Sequence, residues 1–183
     1  MENIRDDIKK AYTEAVESGN STCDPHITNM TEKNYGETPS VQSFGCGDPV
    51  RAALLKEGER VLDLGSGAGF DLILASKKVG PSGHVYGLDM TEAMIEKARK
   101  NIAKLNITNV TVLQGYIEEM PLQNNSVDVL ISNCVINLSP EKERVFAEAY
   151  RVLDDGGRFC VSDVVLMKKV PERVKSSAAA WSG

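Results

Sequence analysis

Three glycines, each separated by one residue, follow a short apolar run at residues 61–70, VLDLGSGAGF. The apolar run is typical of a buried strand. Gly65, Gly67 and Gly69 allow the backbone to turn tightly and to approach a ligand where a Cβ atom would clash. The segment therefore predicts a strand, a glycine-rich turn and a helix, which together form the cofactor-binding unit of many α/β folds.

The residues around this turn indicate which cofactor it takes. A dinucleotide-binding turn has a further glycine where this chain has Phe70, so a pyrophosphate has less room here. Asp89 ends the next predicted strand, where its carboxylate can accept hydrogen bonds from a ribose diol. Ribose hydroxyls without phosphates predict S-adenosylmethionine as the cofactor, whereas a plain glycine turn in another α/β protein remains the alternative.

Length and charge narrow the class of protein further. A chain of 183 residues is expected to form one domain. The net charge of −5 and the lack of a basic run predict no nucleic-acid partner. Because the sequence has no apolar stretch of about 18 residues and no signal-like start, we expect no membrane partner and a cytoplasmic protein.

Strand-like and helix-like segments alternate along most of the chain, which predicts an α/β fold with a doubly wound, mostly parallel, Rossmann-like sheet. We expect an N-terminal helix and a mobile loop over residues 1–47 and the cofactor-binding domain over residues 48–183. The predicted helices cover residues 2–18, 50–55, 69–79, 91–105 and 139–153, and the predicted strands cover residues 60–64, 84–89, 109–114, 127–133 and, after a Gly156-Gly157 turn, 158–166.

The sequence ends soon after the fifth predicted strand. Domains of this kind close the sheet with further strands, so we expect a C-terminally truncated chain whose fifth strand is an exposed edge. Phe159, Val161 and Val164 would make that edge apolar, and a dimer formed through it is one way to cover it.

Ligands of open α/β sheets bind where the strand order reverses, which is predicted here between the first and fourth strands. Asn133 and Cys134 end the fourth strand, so we expect Asn133 to hold the amino-acid part of the cofactor and Cys134 to stand beside its reactive end. After the third strand, Ile117 is expected against the adenine ring and Glu118 at its edge. The predicted cofactor-binding residues are Asp63, Gly65, Ser66, Gly67, Gly69, Asp89, Met90, Ile117, Glu118 and Asn133.

The four cysteines are too few and too scattered for a disulfide scaffold, so each is considered separately. Cys46 lies between two glycines, which suits a thiol presented from a flexible loop. Cys160 lies inside a predicted strand and fits a small core residue, whereas Cys23 fits a ligand or a bystander equally well. The two histidines form no pairing typical of acyl transfer.

The chain resembles the arsenite methyltransferases, which are class I S-adenosylmethionine-dependent enzymes, over about residues 40 to 180. The resemblance rests on the segments GCGDP, VLDLGSGAGFD, GLDMTEAMIEKAR, GYIEEMPL, SNCVINLSPEKERVFAEAYRVL and GGRFCVSDVVL. It implies that cysteine thiolates hold trivalent arsenic for methylation in arsenic detoxification, with a thiol such as glutathione or thioredoxin as reductant. The resemblance implies that Cys46 and Cys134 are two catalytic arsenic ligands of the family. Cys23 matches its N-terminal cysteine, which takes part in the redox cycle, and is a third candidate arsenic ligand; a further family cysteine lies beyond the end of this sequence.

Arsenic chemistry agrees with these residue types. Arsenic(III) is soft and prefers thiolates, and its lone pair can attack a sulfonium methyl group without a general base. Catalysis is then mainly orientation, which can contribute roughly 7 to 11 kcal/mol. Two alternatives remain open from the sequence: a small-molecule C- or O-methyltransferase of the quinone-biosynthesis type, and a non-catalytic fragment that binds metalloid and cofactor.

Overall fold

The computed structural model describes residues 2–18, 41, 43, 45–165 and 167–168, which contain a five-stranded sheet. The strands are β1 (Arg60–Leu64), β2 (His84–Asp89), β3 (Val110–Gln114), β4 (Val127–Asn133) and β5 (Leu153–Ser162). The helices are α1 (Glu2–Ser18), α2 (Pro49–Ala52), α3 (Phe70–Val79), α4 (Glu92–Lys104) and α5 (Lys142–Val152), with a 3₁₀ turn at Ile136–Leu138. The strands pair in parallel in the order β3-β2-β1-β4-β5, which confirms the predicted fold class.

The sheet is buried on both faces because the apolar side chains of its central strands alternate between two cores. Val61 belongs to the core beneath α3 and α4, whereas the next residue, Leu62, belongs to the core beneath α5. Neighbouring strand residues point to opposite faces, so an almost continuous apolar run is what a doubly covered parallel strand requires.

The strand order reverses at β1, whose neighbours are β2 on one side and β4 on the other. Leu64, at the end of β1, is in register with Leu88 of β2 and with Ser132 of β4. The carboxyl ends of these three strands therefore lie at the same edge of the sheet, as expected for a topological switch point.

The fifth strand differs from its prediction at both ends. It begins at Leu153 instead of residue 158 and ends at Ser162 instead of residue 166. The glycine pair does not separate helix from strand, because Gly156, with φ of 79°, lies in an irregularity where the β4–β5 register shifts. The ladder stops at Ser162 because its partner, Asn133, is the last residue of β4.

Two helices differ from their predicted bounds by more than one residue at an end. Helix α5 begins at Lys142 and not at Ser139, since Ser139 has an extended backbone before Pro140. Helix α2 ends at Ala52 instead of residue 55, and Leu54 has a left-handed φ of 49°. The cap of α2 is as predicted, because the Asp48 carboxylate accepts a hydrogen bond from Arg51 N at 3.0 Å.

Helix α1 covers the same end of the sheet as the glycine turn. Its Val16 and Tyr12 pack with Met94 of α4 and with Ala68 of the turn. Most of the loop predicted over residues 21–47 lies outside the described residues, as do Cys23 and residues 169–183. No helix in the described part of the chain is long and apolar enough to cross a membrane.

Strand β5 forms one edge of the sheet, and its exposure is uneven. Val161 is 43% exposed, whereas Phe159 is partly buried and packs against Phe146 at a ring distance of 6.1 Å. Val164, predicted inside the strand, lies after its end and is 62% exposed. The apolar edge is therefore real but shorter than the sequence indicated.

We predict that Glu59→Gln destabilises the domain in a pH-dependent way. Glu59 accepts two hydrogen bonds from Arg158, at 2.7 and 2.8 Å, and this interaction lowers the pKa of Glu59. A carboxyl group whose pKa falls on folding stabilises the native state above its unfolded pKa, and this stabilisation is lost as the pH falls through the folded pKa. The free energy of unfolding at pH 7 should drop by about 1 kcal/mol for this partly exposed pair, and the difference should shrink as the pH falls from the unfolded pKa toward the lowered folded pKa of Glu59.

Urea unfolding at pH 3.5, 5 and 7 measures this difference. Glu96→Gln is the matched control, because Glu96 pairs with Lys100 at 3.4 Å on an exposed helix surface. A pH-independent difference for Glu59→Gln would contradict the ion-pair explanation.

Candidate functional site

A cavity opens at the carboxyl ends of β1, β2 and β4, beneath helix α1. Its empty space, including the part open to solvent, is about 950 Å³. The predicted cofactor-binding residues that line it are Gly65, Ser66, Gly67, Asp89, Met90, Ile117, Glu118 and Asn133, and Cys134 lines it as well.

Two predicted cofactor-binding residues lie away from the cavity wall. Asp63 is 2% exposed within β1, and burial, followed by the charges of Asp71 and Asp89, raises its pKa well above the usual range. Gly69 precedes α3 with a left-handed φ of 91°, and a Cβ there would lie 3.3 Å from Ala98. This geometry gives Gly69 a role in helix packing.

The glycine turn is held from below by β2. Gly65 N and Ser66 N donate to Leu88 O at 2.8 and 3.0 Å. The Asp89 carboxylate accepts from Gly67 N at 2.9 Å and from Thr91 N at 2.8 Å, one bond to each oxygen. Burial raises the pKa of Asp89 against the effect of these bonds. Asp89 also lines the cavity, so its carboxylate is placed where a ligand can reach it.

The turn leaves room for a ligand and offers it an unused polar group. A Cβ on Gly67, whose φ is 51°, would meet no atom within 4 Å. The Ser66 hydroxyl oxygen is buried and has no hydrogen-bond partner within the described part of the protein. A buried polar atom without a partner is costly, so a ligand hydrogen bond at Ser66 would remove a penalty.

The predicted adenine side of the cavity contains an ion-pair cluster that the sequence did not predict. Glu118 is 4% exposed; its Oε1 accepts from the Ser139 hydroxyl at 2.5 Å and lies 3.1 Å from Arg5 Nη2. Arg5 also pairs with Glu141 at 2.5 Å and lies over the ring of Tyr116. Arg5 thus fixes α1 over the cavity, although no local pattern in α1 indicates this.

A second residue of α1, Tyr12, also lines the cavity and was missed by the sequence analysis. Burial, and to a lesser extent the charges of Asp89 and Asp163, raises the pKa of the Tyr12 hydroxyl. In the sequence, Tyr12 shares a stripe of helical spacing with Ile4, Ile8 and Ala15, which predicts burial of that side of the helix without indicating the surface against which it packs.

The two predicted catalytic cysteines meet at the edge of the cavity. Cys46 and Cys134 are joined by a disulfide, with their Cα atoms 5.9 Å apart. Cys134 has a left-handed φ of 57°, which is uncommon for a residue with a side chain, and its N–H donates to Ser162 O at 2.8 Å. In the disulfide neither sulfur is a thiolate, so arsenic ligation by this pair, which was predicted, requires prior reduction.

The other two cysteines, Cys160 and Cys23, are not part of this pair. Cys160 is a free thiol partly buried against the core, and burial raises its pKa, which fits the predicted packing role. Cys23 lies outside the described residues. Within the residues that the structure describes, no group of three cysteine, histidine or acidic side chains could hold a metal ion.

Asn133 bridges the Cys46 loop and helix α3. Its Oδ1 accepts from Cys46 N at 2.9 Å and from Gly47 N at 3.1 Å, and its Nδ2 donates to Gly47 O at 3.0 Å and to Asp71 Oδ2 at 2.9 Å. Burial raises the pKa of Asp71 to about 6, although the hydrogen bond from Asn133 lowers it. The sequence analysis did not single out Asp71.

A doubly wound parallel sheet with an open glycine turn and an acidic residue after the second strand defines a cofactor-binding domain. Residues 55–183 match the family model of the methyltransferase domain. The chain therefore belongs to the methyltransferase domain family. Membership implies S-adenosylmethionine as the cofactor. Three features of the site fit this cofactor: the open space at Gly67, the unpartnered Ser66 hydroxyl and the Asp89 carboxylate.

Individual relatives show which kind of methyltransferase this chain is similar to. The chain is 52% identical over 140 residues to the arsenite methyltransferase of Halobacterium salinarum, a match that covers 76% of this chain and 36% of that protein. It is 43% identical over 166 residues to the arsenite methyltransferase of Mus musculus, covering 86% of this chain and 44% of that protein. The chain thus spans less than half the length of these curated relatives.

A solved structure shows the same similarity. The crystal structure of an arsenic(III) S-adenosylmethionine methyltransferase from Chlamydomonas reinhardtii is 38% identical to this chain, with a TM-score of 0.68. The match covers 92% of this chain and 54% of that one.

We predict that Gly67→Ala weakens cofactor binding beyond its cost in stability. Gly67 and Gly58 both have left-handed φ values, of 51° and 85°, and a Cβ on Gly58 would have only Ser82 Oγ nearby, at 3.7 Å. An alanine at either site costs roughly 1 to 2 kcal/mol of backbone strain. Because only Gly67 faces the cavity, S-adenosylhomocysteine affinity measured by calorimetry should fall by about tenfold or more for Gly67→Ala and stay unchanged for Gly58→Ala. Equal affinities in the two variants would contradict a ligand site at this turn.

Proposed function

We propose that this chain methylates trivalent arsenic held by the thiolates of Cys46 and Cys134, with S-adenosylmethionine as methyl donor. The observation that supports it is the pairing of these two sulfurs at the edge of the cofactor cavity. They come from residues separated by 88 positions in the sequence, so their meeting depends on the tertiary fold. The similarity to proteins named arsenite methyltransferase supports the same substrate.

Substrate binding begins with the reduction of the disulfide. Two electrons and two protons from a thiol reductant, such as glutathione or thioredoxin, convert the pair into two thiols while the reductant forms its own disulfide. The two thiols then replace two hydroxyl groups of arsenous acid and release two water molecules. A reducing compartment such as the cytoplasm would maintain this thiol state, and we propose that location together with a role in arsenic detoxification.

The chain itself contributes binding and orientation. The cofactor supplies an electrophilic sulfonium methyl group, and the described residues that can hold it are Asp89, Ser66 and the backbone of the glycine turn. Cys134 lines the same cavity, so arsenic bound there lies next to the cofactor site. Arsenic presents a lone pair and needs no deprotonation, which is consistent with a catalytic role for thiols alone.

The cavity wall also carries two carboxyl groups that suit a cationic cofactor. Asp71 and Asp89 line the cavity, burial raises the pKa of both, and their charges act on Asp63 within β1. A cationic sulfonium and ammonium nearby would favour the ionised carboxylates. Charge complementarity of this kind distinguishes the methyl donor from its neutral product.

We predict that Cys46→Ser and Cys134→Ser each abolish arsenite-dependent methyl transfer, with a loss of more than about a hundredfold, because one thiolate cannot hold arsenic in a fixed position. The measurement is transfer of a labelled methyl group to arsenite in the presence of excess glutathione. Cys160→Ser is the matched control, since Cys160 is a half-buried thiol that does not line the cavity.

Three outcomes would contradict this function. Unchanged transfer in both cysteine variants would exclude the thiol pair, and methylation of a small quinol in place of arsenite would assign the chain to the quinone-biosynthesis type. Binding of S-adenosylmethionine and phenylarsine oxide without any methylated product would leave a non-catalytic binding fragment.

A further inference from the structure

One side chain of the sheet, the Asn133 amide, makes three hydrogen bonds to the backbone of the Cys46 loop, in addition to the disulfide from Cys46 to Cys134. We call residues 45–48 the thiol loop. Within it, Cys46 N and Gly47 N donate to Asn133 Oδ1 at 2.9 and 3.1 Å, and Gly47 O accepts from Asn133 Nδ2 at 3.0 Å. Three backbone groups of the loop thus depend on one amide, which adjoins Cys134 in the sequence.

All hydrogen-bonding positions of that amide are occupied by the protein. Its fourth bond runs from Nδ2 to Asp71 Oδ2 at 2.9 Å. An amide oxygen accepts two hydrogen bonds and an amide nitrogen donates two, so the set is complete. Reversing the amide would place its N–H groups against two backbone donors and its oxygen against a carboxylate, so Asp71 and the loop together fix one orientation.

The glycines of the loop fit this contact. A Cβ on Gly45 would overlap the Asn133 amide, and a Cβ on Gly47 would overlap the Ser162 side chain. No left-handed φ is involved at either position, so the glycines are needed for close approach to the strand ends. The sequence GCG thus allows a backbone to lie directly on β4 and β5.

We infer that Asn133, held by Asp71, is the positioning residue that fixes the thiol loop so that Cys46 meets Cys134. This assigns to Asn133 a role different from the cofactor contact predicted from its place at the end of β4. The inference rests on the proposed function for its purpose, since the positioned thiols are those proposed to hold arsenic. The hydrogen bonds themselves can be tested without arsenic.

The direct test measures how readily the two thiols pair. In a Cys23→Ser/Cys160→Ser background, Cys46 and Cys134 are the only cysteines. The chain is equilibrated in glutathione redox buffers and trapped by alkylation, and the disulfide fraction is measured by mass spectrometry. Asn133→Ala should lower the equilibrium constant for disulfide formation by about tenfold or more, because the reduced loop is no longer held beside Cys134.

Asn109→Ala is the matched control. The Asn109 amide also joins separate segments, by donating to Ser76 O at 3.1 Å and to Gly80 O at 2.8 Å, but it lies away from the thiols. The equilibrium constant for disulfide formation in Asn109→Ala should stay within about twofold of the parent value. An unchanged constant in Asn133→Ala, or an equal loss in both variants, would overturn the inference.

A second variant tests the contact from the loop side. Gly45→Ala should lower the constant by a similar factor, since the new methyl group displaces the loop from the amide. The atoms in the way are the Asn133 amide group itself, so the same substitution should have little effect in the Asn133→Ala background. Additive losses would contradict direct contact, and Gly45→Ala alone carries the test should Asn133→Ala not fold.

The role of Asp71 is separated by two substitutions. Asp71→Asn keeps an oxygen that accepts from Asn133 Nδ2, so its equilibrium constant for disulfide formation should remain within about threefold of the parent value. Asp71→Ala removes this acceptor, so its constant should fall nearly as far as that of Asn133→Ala. Equal effects of the two substitutions would remove Asp71 from the positioning role.

Cofactor binding distinguishes positioning from direct contact. S-adenosylhomocysteine affinity, measured by calorimetry, should change by less than about threefold in Asn133→Ala. A tenfold loss of affinity with an unchanged thiol equilibrium would make Asn133 a cofactor ligand and overturn the inference. Failure to methylate arsenite would count against the proposed function only, because none of these measurements uses arsenic.

Discussion

The parallel pairing of β1, β4 and β5 determines where the glycine turn, Asn133 and Cys134 lie. Leu64 is in register with Ser132, and Asn133 is in register with Ser162, so the three strands end at one edge. Parallel strands need helical crossovers, and these bury the sheet on both sides and leave its carboxyl edge as the accessible place for chemistry. The glycine turn, Cys134 and the surface under the thiol loop are consequences of that register.

Two glycine motifs solve two different steric problems at this edge. In the turn after β1, Gly65 and Gly67 have left-handed φ values, and Gly67 leaves space in the cavity. In the thiol loop, Gly45 and Gly47 remove side chains that would overlap Asn133 and Ser162. The first motif makes room for a small molecule, and the second makes room for the chain's own backbone. Glycines therefore allow ligand binding at the turn and close packing of the loop on the strand ends.

The sequence predicted what depends on local pattern and missed what depends on distant partners. β1, β2 and β4 have the predicted bounds because each is a short, largely apolar segment whose ends are marked in the local sequence. The start of β5 was wrong because a glycine pair is compatible with both a turn and a bulge, and only pairing with β4 decides between them. Arg5 and Tyr12 reach the cavity through the docking of α1, and Asn133 is bonded to two other segments; neither arrangement leaves a local signal.

The thiol pair and the cofactor turn are supported by separate sets of hydrogen bonds. Asp89 and Leu88 hold the turn, whereas Asn133 and Ser162 hold the cysteines. Asp71 stands between the two sets, because it accepts from Asn133 and its charge acts on Asp63 beneath the turn. Reduction of the disulfide therefore removes one covalent link without removing any bond that shapes the turn. The loop stays in place through the amide, and the freed sulfurs can spread by side-chain rotation to hold one soft atom between them.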